Sequence, residues 1–248
     1  MAIRKYSKQA FEKMYNAGQL AKHILDYVEP FVVEGVTTEE LNKICHDEII
    51  RNNAIPAPLN YHGYPKSVCI SINEVICHGI PSERKLQNGD ILNIDVTVIL
   101  DGYYGDTSRM YTVGDVSKNA RTLINVTYEA MMSAIALLKP GIHLGDICEP
   151  IKAITRKHGF SIVRDYCGHG IGKSFHEDPI VLHHANKGSG PILEVGNCFT
   201  VEPMINAGDS NCRVLDDGWT AVTADGSLSA QFEHTVGITE TGCIIFTE

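Results

Sequence analysis

The 248-residue sequence is 44% hydrophobic, 21% charged and 7% aromatic. A chain of this length can bury a substantial core, and its near-average composition excludes disordered, collagen-like and low-complexity proteins. Because 30 acidic residues outnumber 21 basic ones, the formal net charge is -9, which argues against a dedicated nucleic-acid-binding protein.

The sequence carries no sign of a membrane segment or of an oxidising compartment. No uncharged apolar run approaches about 18 residues, and charged residues appear at once in positions 1–7, so we predict neither a transmembrane helix nor a signal peptide. The eight cysteines are irregularly spaced without a Cys-x-x-Cys pair, which disfavours a zinc finger or a disulfide framework. We expect a soluble, cytoplasmic protein with reduced thiols.

The chain begins with helical patterns and then alternates between helical and strand patterns. Ser7 is a plausible N-cap for a first helix that stops at Pro30, and a Thr37-x-x-Glu40 capping box predicts a second helix. Further helical patterns cover 117–138 and 144–158, with strand patterns before, between and after them. This order predicts an α+β fold with helices on one face of a sheet.

A hairpin is predicted around two acidic residues. Residues 91–100 alternate in hydrophobicity and are followed by an Asp-Gly turn signal, so that Leu100 should pair with Tyr103. Asp95 and Asp106 then lie on one face as diagonal neighbours, roughly 7–8 Å apart at Cα. Either a cation or a proton relieves their repulsion, or the face is solvated and both are ordinary surface groups.

The second half of the sequence contains related features. A short duplication relates residues 89–95 to 196–202, each with a glycine six residues before an acid, Asp95 or Glu202, within an apolar strand. Glu233 also lies in an apolar strand pattern, where an unpartnered carboxylate is rarely buried. His169 lies in a glycine-dense stretch that lets backbone approach a ligand. Four carboxylates and one imidazole suit a site for two divalent cations.

These five residues resemble, in order and local context, the metal ligands of type I methionine aminopeptidases. The resemblance covers nearly the whole chain, and its motifs are highly specific jointly although each alone is weak. It rests on residues 60–67, 77–81, 93–97, 168–172 and 229–235.

The resemblance implies the pita-bread fold, a pseudo-two-fold α+β domain with a curved antiparallel sheet and helices on its outer face. It implies one catalytic domain over 1–248, with a helical segment to about residue 60 and two pseudo-symmetric halves, about 61–140 and 141–248. We expect the compact bacterial-type form, since the sequence shows neither the N-terminal zinc-binding extension of longer relatives nor a type II insertion between His169 and Glu202.

The implied activity is removal of the N-terminal methionine from nascent proteins and peptides whose second residue is small. Two divalent cations (Co, Mn, Fe or Zn) would activate water for attack on the first peptide bond. Asp106 and Glu233 would bind both cations, Asp95 one of them, and His169 and Glu202 the other. Glu202 would also shuttle the proton. The chemistry of the ligands leaves the identity of the metal open.

The resemblance also assigns substrate contacts. His78 would contact the scissile amide and His176 the carbonyl oxygen, as donors that stabilise developing charge. The pocket for the methionine side chain would be formed by Tyr61, Tyr64, Cys69, Phe175 and Trp219, together with His78 and His176. We interpret His62, His183 and His184 as structural or surface residues.

Two further features are expectations from the family. A monovalent cation could bind near Asn73, Val75 and Ser229. In addition, bacterial relatives often carry a cysteine just before Leu-Gly-Tyr-His, whereas this chain has Pro58-Leu59-Asn60 before Tyr61, which predicts an altered pocket wall.

The expected partners are the N-termini of nascent polypeptides, with a transient ribosome contact through an unlocated basic patch, no membrane, and a monomeric state. Two other functions remain open from the residues. One is a proline-directed relative such as prolidase or aminopeptidase P, although these usually carry a long N-terminal domain. The other is a binding protein that has lost its metals, although all five ligand positions are intact.

Overall fold

The computed structural model describes residues 3–248. In this range four α-helices are formed: α1 (Lys8–Val28), α2 (Thr38–Arg51), α3 (Lys118–Ile135) and α4 (Cys148–Lys157). Short 3₁₀ helices cover Glu29–Phe31, Tyr61–Gly63 and Leu144–Ile147.

The helices begin where the sequence predicts. Ser7 Oγ accepts a hydrogen bond from the backbone of α1 at 3.3 Å, which satisfies one of the free amides of the first turn. Thr37 and Glu40 form the predicted capping box, with bonds of 2.7 and 3.1 Å. The predicted helix over 144–158 is divided, because its first turn is a 3₁₀ helix that precedes α4.

Within residues 3–248 the chain also forms fifteen strands. They are β1 (Ile55–Pro56), β2 (Cys69–Ile72), β3 (Val75–Cys77), β4 (Ile91–Leu100), β5 (Tyr103–Thr112), β6 (Ser161–Ile162), β7 (Gly168–Gly170), β8 (Glu177–Val181), β9 (Cys198–Val201), β10 (Met204–Asn206), β11 (Cys212–Val214), β12 (Ala221–Thr223), β13 (Ser229–Gln231), β14 (Glu233–Ile238) and β15 (Cys243–Ile245).

The strands form one large sheet and two small ones. Seven strands of the large, curved sheet follow the order β1-β4-β5-β14-β9-β7-β8, with β2 added to β4 and β15 to β14. The smaller sheets have the orders β13-β10-β6 and β11-β12-β3. All of these pairings are antiparallel. The predicted α+β class with an antiparallel sheet is therefore confirmed.

The predicted hairpin is formed by β4 and β5 in the expected register. Leu100 pairs with Tyr103, and Asp95 lies opposite Ser108. Glu233 lies opposite Ser108 on the other side of β5, so β14 continues the same face. This face is buried, since Asp106 is only 3% exposed, and the alternative of a solvated surface is wrong.

Two apolar clusters hold the helices against the sheets. The first joins α1 and α2 to β2 and β4, and the second joins α3 and α4 to β9 and β14. Helix α1 approaches β5 so closely that a Cβ on Gly105 would lie 2.3 Å from the backbone of Ala17. Only glycine fits there without moving the helix. Across residues 3–248, we find no helix with both the length and the apolar character needed to span a membrane.

Candidate metal centre and active site

The large sheet brings the five predicted metal ligands to one place. Asp95 and Asp106 lie on β4 and β5, Glu233 begins β14, and His169 lies on β7. Glu202 directly follows β9, which lies between β14 and β7. Because side chains alternate across a strand, neighbouring antiparallel strands in register can direct all five toward one face.

Three of these side chains are close enough to share one ion. Ligand atoms of Asp106, His169 and Glu233 all lie within 4.8 Å of one another. Nε2 of His169 is 3.6 Å from Asp106 Oδ2 and 3.7 Å from Glu202 Oε1, so Glu202 borders the same group. Asp95 lines the same cavity, and its Oδ1 is buried without a hydrogen-bond partner among residues 3–248. A buried carboxylate oxygen without a donor is consistent with a cation ligand.

Hydrogen bonds from neighbouring residues orient the carboxylates. Thr97 Oγ1 donates to Asp106 Oδ1 at 2.7 Å, and Thr200 Oγ1 donates to Glu202 Oε1 at 2.6 Å. Gln231 Nε2 donates to the other oxygen of Glu202 at 3.2 Å. These bonds leave each carboxylate with unused lone pairs while fixing its rotamer.

These supporting residues were not among the predicted site residues, although the sequence contains a signal for two of them. Thr97 lies two residues after Asp95 and Thr200 two residues before Glu202, so the period of a strand places each threonine on the face of its acid. His183, predicted to be structural or surface, is buried, and its Nε2 accepts the backbone N–H of Glu202 at 3.1 Å.

The electrostatics of the centre disfavour four ionised carboxylates unless a cation neutralises them. Burial raises the pKa of Asp95 to about 7 and of Glu202 to about 8. Burial and then repulsion by neighbouring carboxylates raise the pKa of Asp106 and of Glu233 well above the usual range. Burial lowers the pKa of His169 to about 3, so this imidazole is neutral at pH 7 and does not balance the carboxylates.

The donor set therefore fits divalent cations. Within residues 3–248, no lysine or arginine lies within ion-pair distance of the four carboxylates. Oxygen donors with one neutral imidazole nitrogen match the preferences of divalent first-row metals, and bound cations would remove the repulsion that the protein leaves uncompensated.

Two other predicted histidines border the centre. The His176 ring lies 4.2 Å from the His169 ring, and its Nδ1 is 2.8 Å from Tyr61 Oη. Burial lowers the pKa of His176 to about 4, with His78 and His62 adding to the shift, so His176 is neutral at pH 7. His78 is held in the left-handed region at φ 57°, a backbone conformation that is uncommon for residues with a side chain.

The predicted metal ligands, the predicted substrate-contacting histidines His78 and His176, and the predicted pocket residues all line one cavity of about 280 Å³. Tyr64 packs edge-to-face on Trp219 with ring centroids 5.2 Å apart, and its hydroxyl donates to the Gly79 carbonyl at 2.9 Å. Tyr61 and Phe175 pack on the opposite side at 4.8 Å. The lining residues that the sequence analysis did not assign to the site are Pro58, Thr97, Asp165, Tyr166, Cys167 and Met204.

Pro58, where bacterial relatives often carry a cysteine, lies in the wall of this cavity. The carbonyl of Pro58 accepts the backbone N–H of Tyr61 at 2.9 Å, so the turn that presents Tyr61 begins at the proline.

A wider groove of about 560 Å³ lies between α1 and the strand β15, but its lining contains no histidine and only two acids, Glu12 and Glu240. The smaller cavity is therefore the one with hydrolytic chemistry.

The predicted monovalent-cation residues lie apart from this cavity. The carbonyl of Asn73 accepts the backbone N–H of Ser229 at 2.8 Å, which brings these two residues together. Val75 follows on β3 and pairs with Val222. Asn206, opposite Ser229, has a buried Oδ1 without a partner in the described part of the chain.

Comparisons with known proteins agree with this geometry. The profile of Metallopeptidase family M24 matches residues 12–240. Methionine aminopeptidase of Rickettsia prowazekii (strain Madrid E) is 55% identical over all of this chain and 96% of its own, and a crystal structure of the enzyme from that species superposes with a TM-score of 0.98 over the full length of both chains. Methionine aminopeptidase of Escherichia coli (strain K12) is 51% identical over all of this chain and 94% of its own.

A prolidase shares the architecture without close sequence similarity. Prolidase from Pyrococcus furiosus is 21% identical with a TM-score of 0.79, over 98% of this chain and 65% of the prolidase chain, which shows the fold alone. The predicted pita-bread fold is confirmed. From its profile match and its full-length relatives, this chain belongs to metallopeptidase family M24 and, within it, to the methionine aminopeptidases.

Proposed function

We propose that this metallopeptidase removes the N-terminal methionine from nascent polypeptides whose second residue is small. The observation that carries the proposal is the meeting of four carboxylates and a neutral imidazole with an aromatic cavity that can hold a thioether side chain. Sulfur–aromatic contacts favour methionine in such a cavity.

The metal ligands in this proposal are Asp95, Asp106, His169, Glu202 and Glu233. Two divalent cations, when bound, supply Lewis acidity that lowers the pKa of water and polarises the carbonyl of the first peptide bond. Thr97, Thr200 and Gln231 hold the carboxylates in place before the substrate arrives.

Glu202 is proposed to carry the proton. Its carboxylate is held by hydrogen bonds from Thr200 and Gln231 and its backbone by His183, so the orientation of the carboxylate in the cavity is fixed. Glu202 takes a proton from the water on a carboxylate oxygen and returns it to the leaving amide nitrogen. Positioned acid–base groups of this kind contribute about 10²–10⁴-fold in rate.

His176 is proposed to donate a hydrogen bond to the carbonyl oxygen of the scissile bond. Burial raises the pKa of Tyr61, which keeps its phenol protonated and able to donate to Nδ1 of His176. That bond places the single imidazole proton on Nε2, the nitrogen left free for the substrate. His78, whose pKa is lowered by desolvation, is proposed to contact the amide nitrogen.

The side chain of methionine is proposed to occupy the part of the cavity that five residues line. Tyr64 and Cys69 are buried, and the tyrosine is held by two backbone carbonyls, so this part of the wall is rigid. These residues are Tyr61, Tyr64, Cys69, Phe175 and Trp219.

The second residue of the substrate should decide whether cleavage occurs. We expect kcat/KM for a Met-Ala-Ser peptide to exceed that for Met-Leu-Ser about 10²-fold, because a large side chain next to His78 would displace the carbonyl by about 1 Å. Methionine release measured by chromatography checks this. Comparable cleavage of both peptides, or faster cleavage of an Ala-Pro peptide, would contradict the specificity and favour a proline-directed enzyme.

Several finer features of the enzyme are also proposed. The resident metal is Co, Mn, Fe or Zn, and metal analysis of the purified protein identifies it. A monovalent cation is proposed near Asn73, Val75 and Ser229, which the unpartnered Oδ1 of Asn206 supports. We propose a monomer in the cytoplasm, consistent with eight free cysteines.

We further propose one catalytic domain with a helical segment to about residue 60 and pseudo-symmetric halves at about 61–140 and 141–248. The duplicated segments support this division, because 89–95 leads into β4 and 196–202 covers β9, each with a metal-ligand candidate at its end.

The transient ribosome contact is proposed to use a basic groove formed by α4 and the residues that follow it. This groove, of about 400 Å³, is lined by Lys152, Arg156, Phe160, Arg164 and His184. Within residues 3–248, neither exposed arginine is paired with a carboxylate, so both are available for phosphate groups, despite the net charge of -9.

Reversing the charge of both arginines tests this surface. Arg156→Glu/Arg164→Glu should weaken cosedimentation with ribosomes and reduce its salt slope by about two, while leaving cleavage of Met-Ala-Ser unchanged. The control is Lys118→Glu/Arg121→Glu, which makes the same charge change on exposed positions of α3. Equal binding by both variants would contradict the assignment of the groove.

A further inference from the structure

The segment before α1 lies against the back of the loop that carries His176. We call residues 4–6 the strap and residues 171–176 the His176 loop. Tyr6 Oη accepts the backbone N–H of Lys173 at 3.0 Å and donates to the Glu177 carboxylate, whose oxygens are 2.8 and 2.9 Å away. Glu177 Oε1 also accepts the backbone N–H of Ser174 at 3.0 Å. Two consecutive amides of the loop are therefore held by one linked pair of side chains.

The strap is itself fixed to the body of the protein. The backbone N–H of Tyr6 donates to the Gly196 carbonyl at 2.8 Å, and Asn197 Nδ2 donates to the Arg4 carbonyl at 3.2 Å. Arg4 also pairs with Glu177 at 2.9 Å, but its side chain is 55% exposed, so this ion pair adds little. The partly buried Tyr6 hydroxyl thus connects the body of the protein to the loop.

The fit between the strap and the loop is tight. A Cβ on Gly172 would lie 2.1 Å from Tyr6 Oη, so the tyrosine occupies the space that a side chain at position 172 would need. On the opposite side, the Gly172 carbonyl accepts the backbone N–H of Tyr104, on β5, at 2.9 Å. The loop is held between Tyr6 and the central sheet, and it has little freedom to shift.

We propose that Tyr6 and Glu177 are positioning residues that hold the His176 loop, so that His176 reaches the scissile carbonyl in its productive orientation. The inference rests on the proposed function, because it assumes the donor role of His176. We call the hydrogen-bonded pair of Tyr6 and Glu177 the clamp. Glu177 directly follows His176 in the sequence, and Ser174, whose amide Glu177 accepts, lies two residues before it. The clamp therefore fixes the backbone on both sides of the histidine.

The clamp should act on the rate more than on binding. Tyr6→Phe keeps the ring in its packing place and removes only the hydroxyl, which frees one loop amide and one partner of Glu177. Since about 1 Å of misplacement can cost 10²-fold in rate, we expect kcat to fall about tenfold with little change in KM. Bound metal should be unchanged, because no proposed ligand belongs to the clamp.

A double-mutant cycle tests whether the clamp acts through His176. We would measure kcat for the full-length metal-loaded protein, Tyr6→Phe, His176→Ala and the double variant on a Met-Ala-Ser peptide. The double variant is expected to match His176→Ala, because a loop without its histidine has nothing left to position. The matched control is Lys5→Ala, which breaks an exposed strap ion pair with Glu194, 2.9 Å, that does not touch the loop.

The outcomes distinguish a wrong donor role for His176 from a wrong positioning role for Tyr6 and Glu177. If His176→Ala keeps the kcat of the parent, the donor role of His176 is wrong. The proposal that Tyr6 and Glu177 position this donor is then wrong as well. If His176→Ala lowers kcat but Tyr6→Phe does not, or if the two losses multiply in the double variant, the clamp alone is overturned. A fall in kcat for Lys5→Ala equal to that of Tyr6→Phe would also overturn it.

Discussion

Replacing Asp106 with asparagine, or Glu233 with alanine, should lower methionine release at least about a thousandfold while leaving the protein folded. Both side chains belong to the group of ligand atoms within 4.8 Å, so either change removes a shared donor. Loss of several kcal/mol of Lewis-acid stabilisation corresponds to that factor. The fold should persist, because each change removes one of several buried charges that repel one another. Activity, bound metal and the thermal melting curve are the measurements.

The matched control is Asp101→Asn in the turn of the same hairpin. Asp101 has φ 51°, a conformation that asparagine also adopts, and its exposed side chain makes no contact with the centre. It should keep full activity and full metal content. If Asp106→Asn retained more than a few per cent of activity with metal added, the proposed ligand set would be wrong.

His176→Ala should lower kcat about 10²–10³-fold with a smaller effect on KM, because the histidine is proposed to bond an oxygen whose charge develops only in the transition state. Tyr61→Phe should give a smaller loss, about tenfold, since it removes the hydroxyl 2.8 Å from Nδ1 but leaves the imidazole. Steady-state kinetics with a Met-Ala-Ser peptide separates kcat from KM.

Metal analysis distinguishes a donor from a ligand in these variants. His176→Ala, and likewise His78→Ala, should retain the metal content of the parent, whereas loss of metal would show that a ligand had been taken for a donor. His62→Ala is the control, because His62 is exposed beside Tyr61 and is not among the residues that line the cavity.

Local sequence signals predicted the elements well. The Asp-Gly turn set the register of β4 and β5 correctly, because a two-residue turn leaves one pairing that keeps the apolar side chains on the core face. The capping box at Thr37 and Glu40 located the start of α2, because both hydrogen bonds form within four residues. In each case the information lay in consecutive residues.

Contacts between distant residues could not be predicted in this way. Tyr6 and Glu177 are 171 positions apart, and neither has a local pattern that marks the other. His183 has no pattern that links it to the backbone of Glu202, because that contact arises only when the segment after β8 meets the residue that follows β9. Glu233 likewise comes close to Asp106 only because β14, a strand from the far end of the chain, pairs with β5.

The position of β14 between β5 and β9 has a consequence for folding. Asp106 and Glu233 lie on adjacent strands, although about half of the chain separates them in sequence. A cation bound by both residues, as we propose, would therefore act as a reversible cross-link in a protein whose eight cysteines are all free thiols. The dispersed carboxylates of the unfolded chain offer no such site, so a free cation at a hundredfold excess over its Kd raises the free energy of unfolding by about 2.7 kcal/mol. The stability of the folded enzyme would thus depend on the supply of the same ions that are proposed to serve its chemistry.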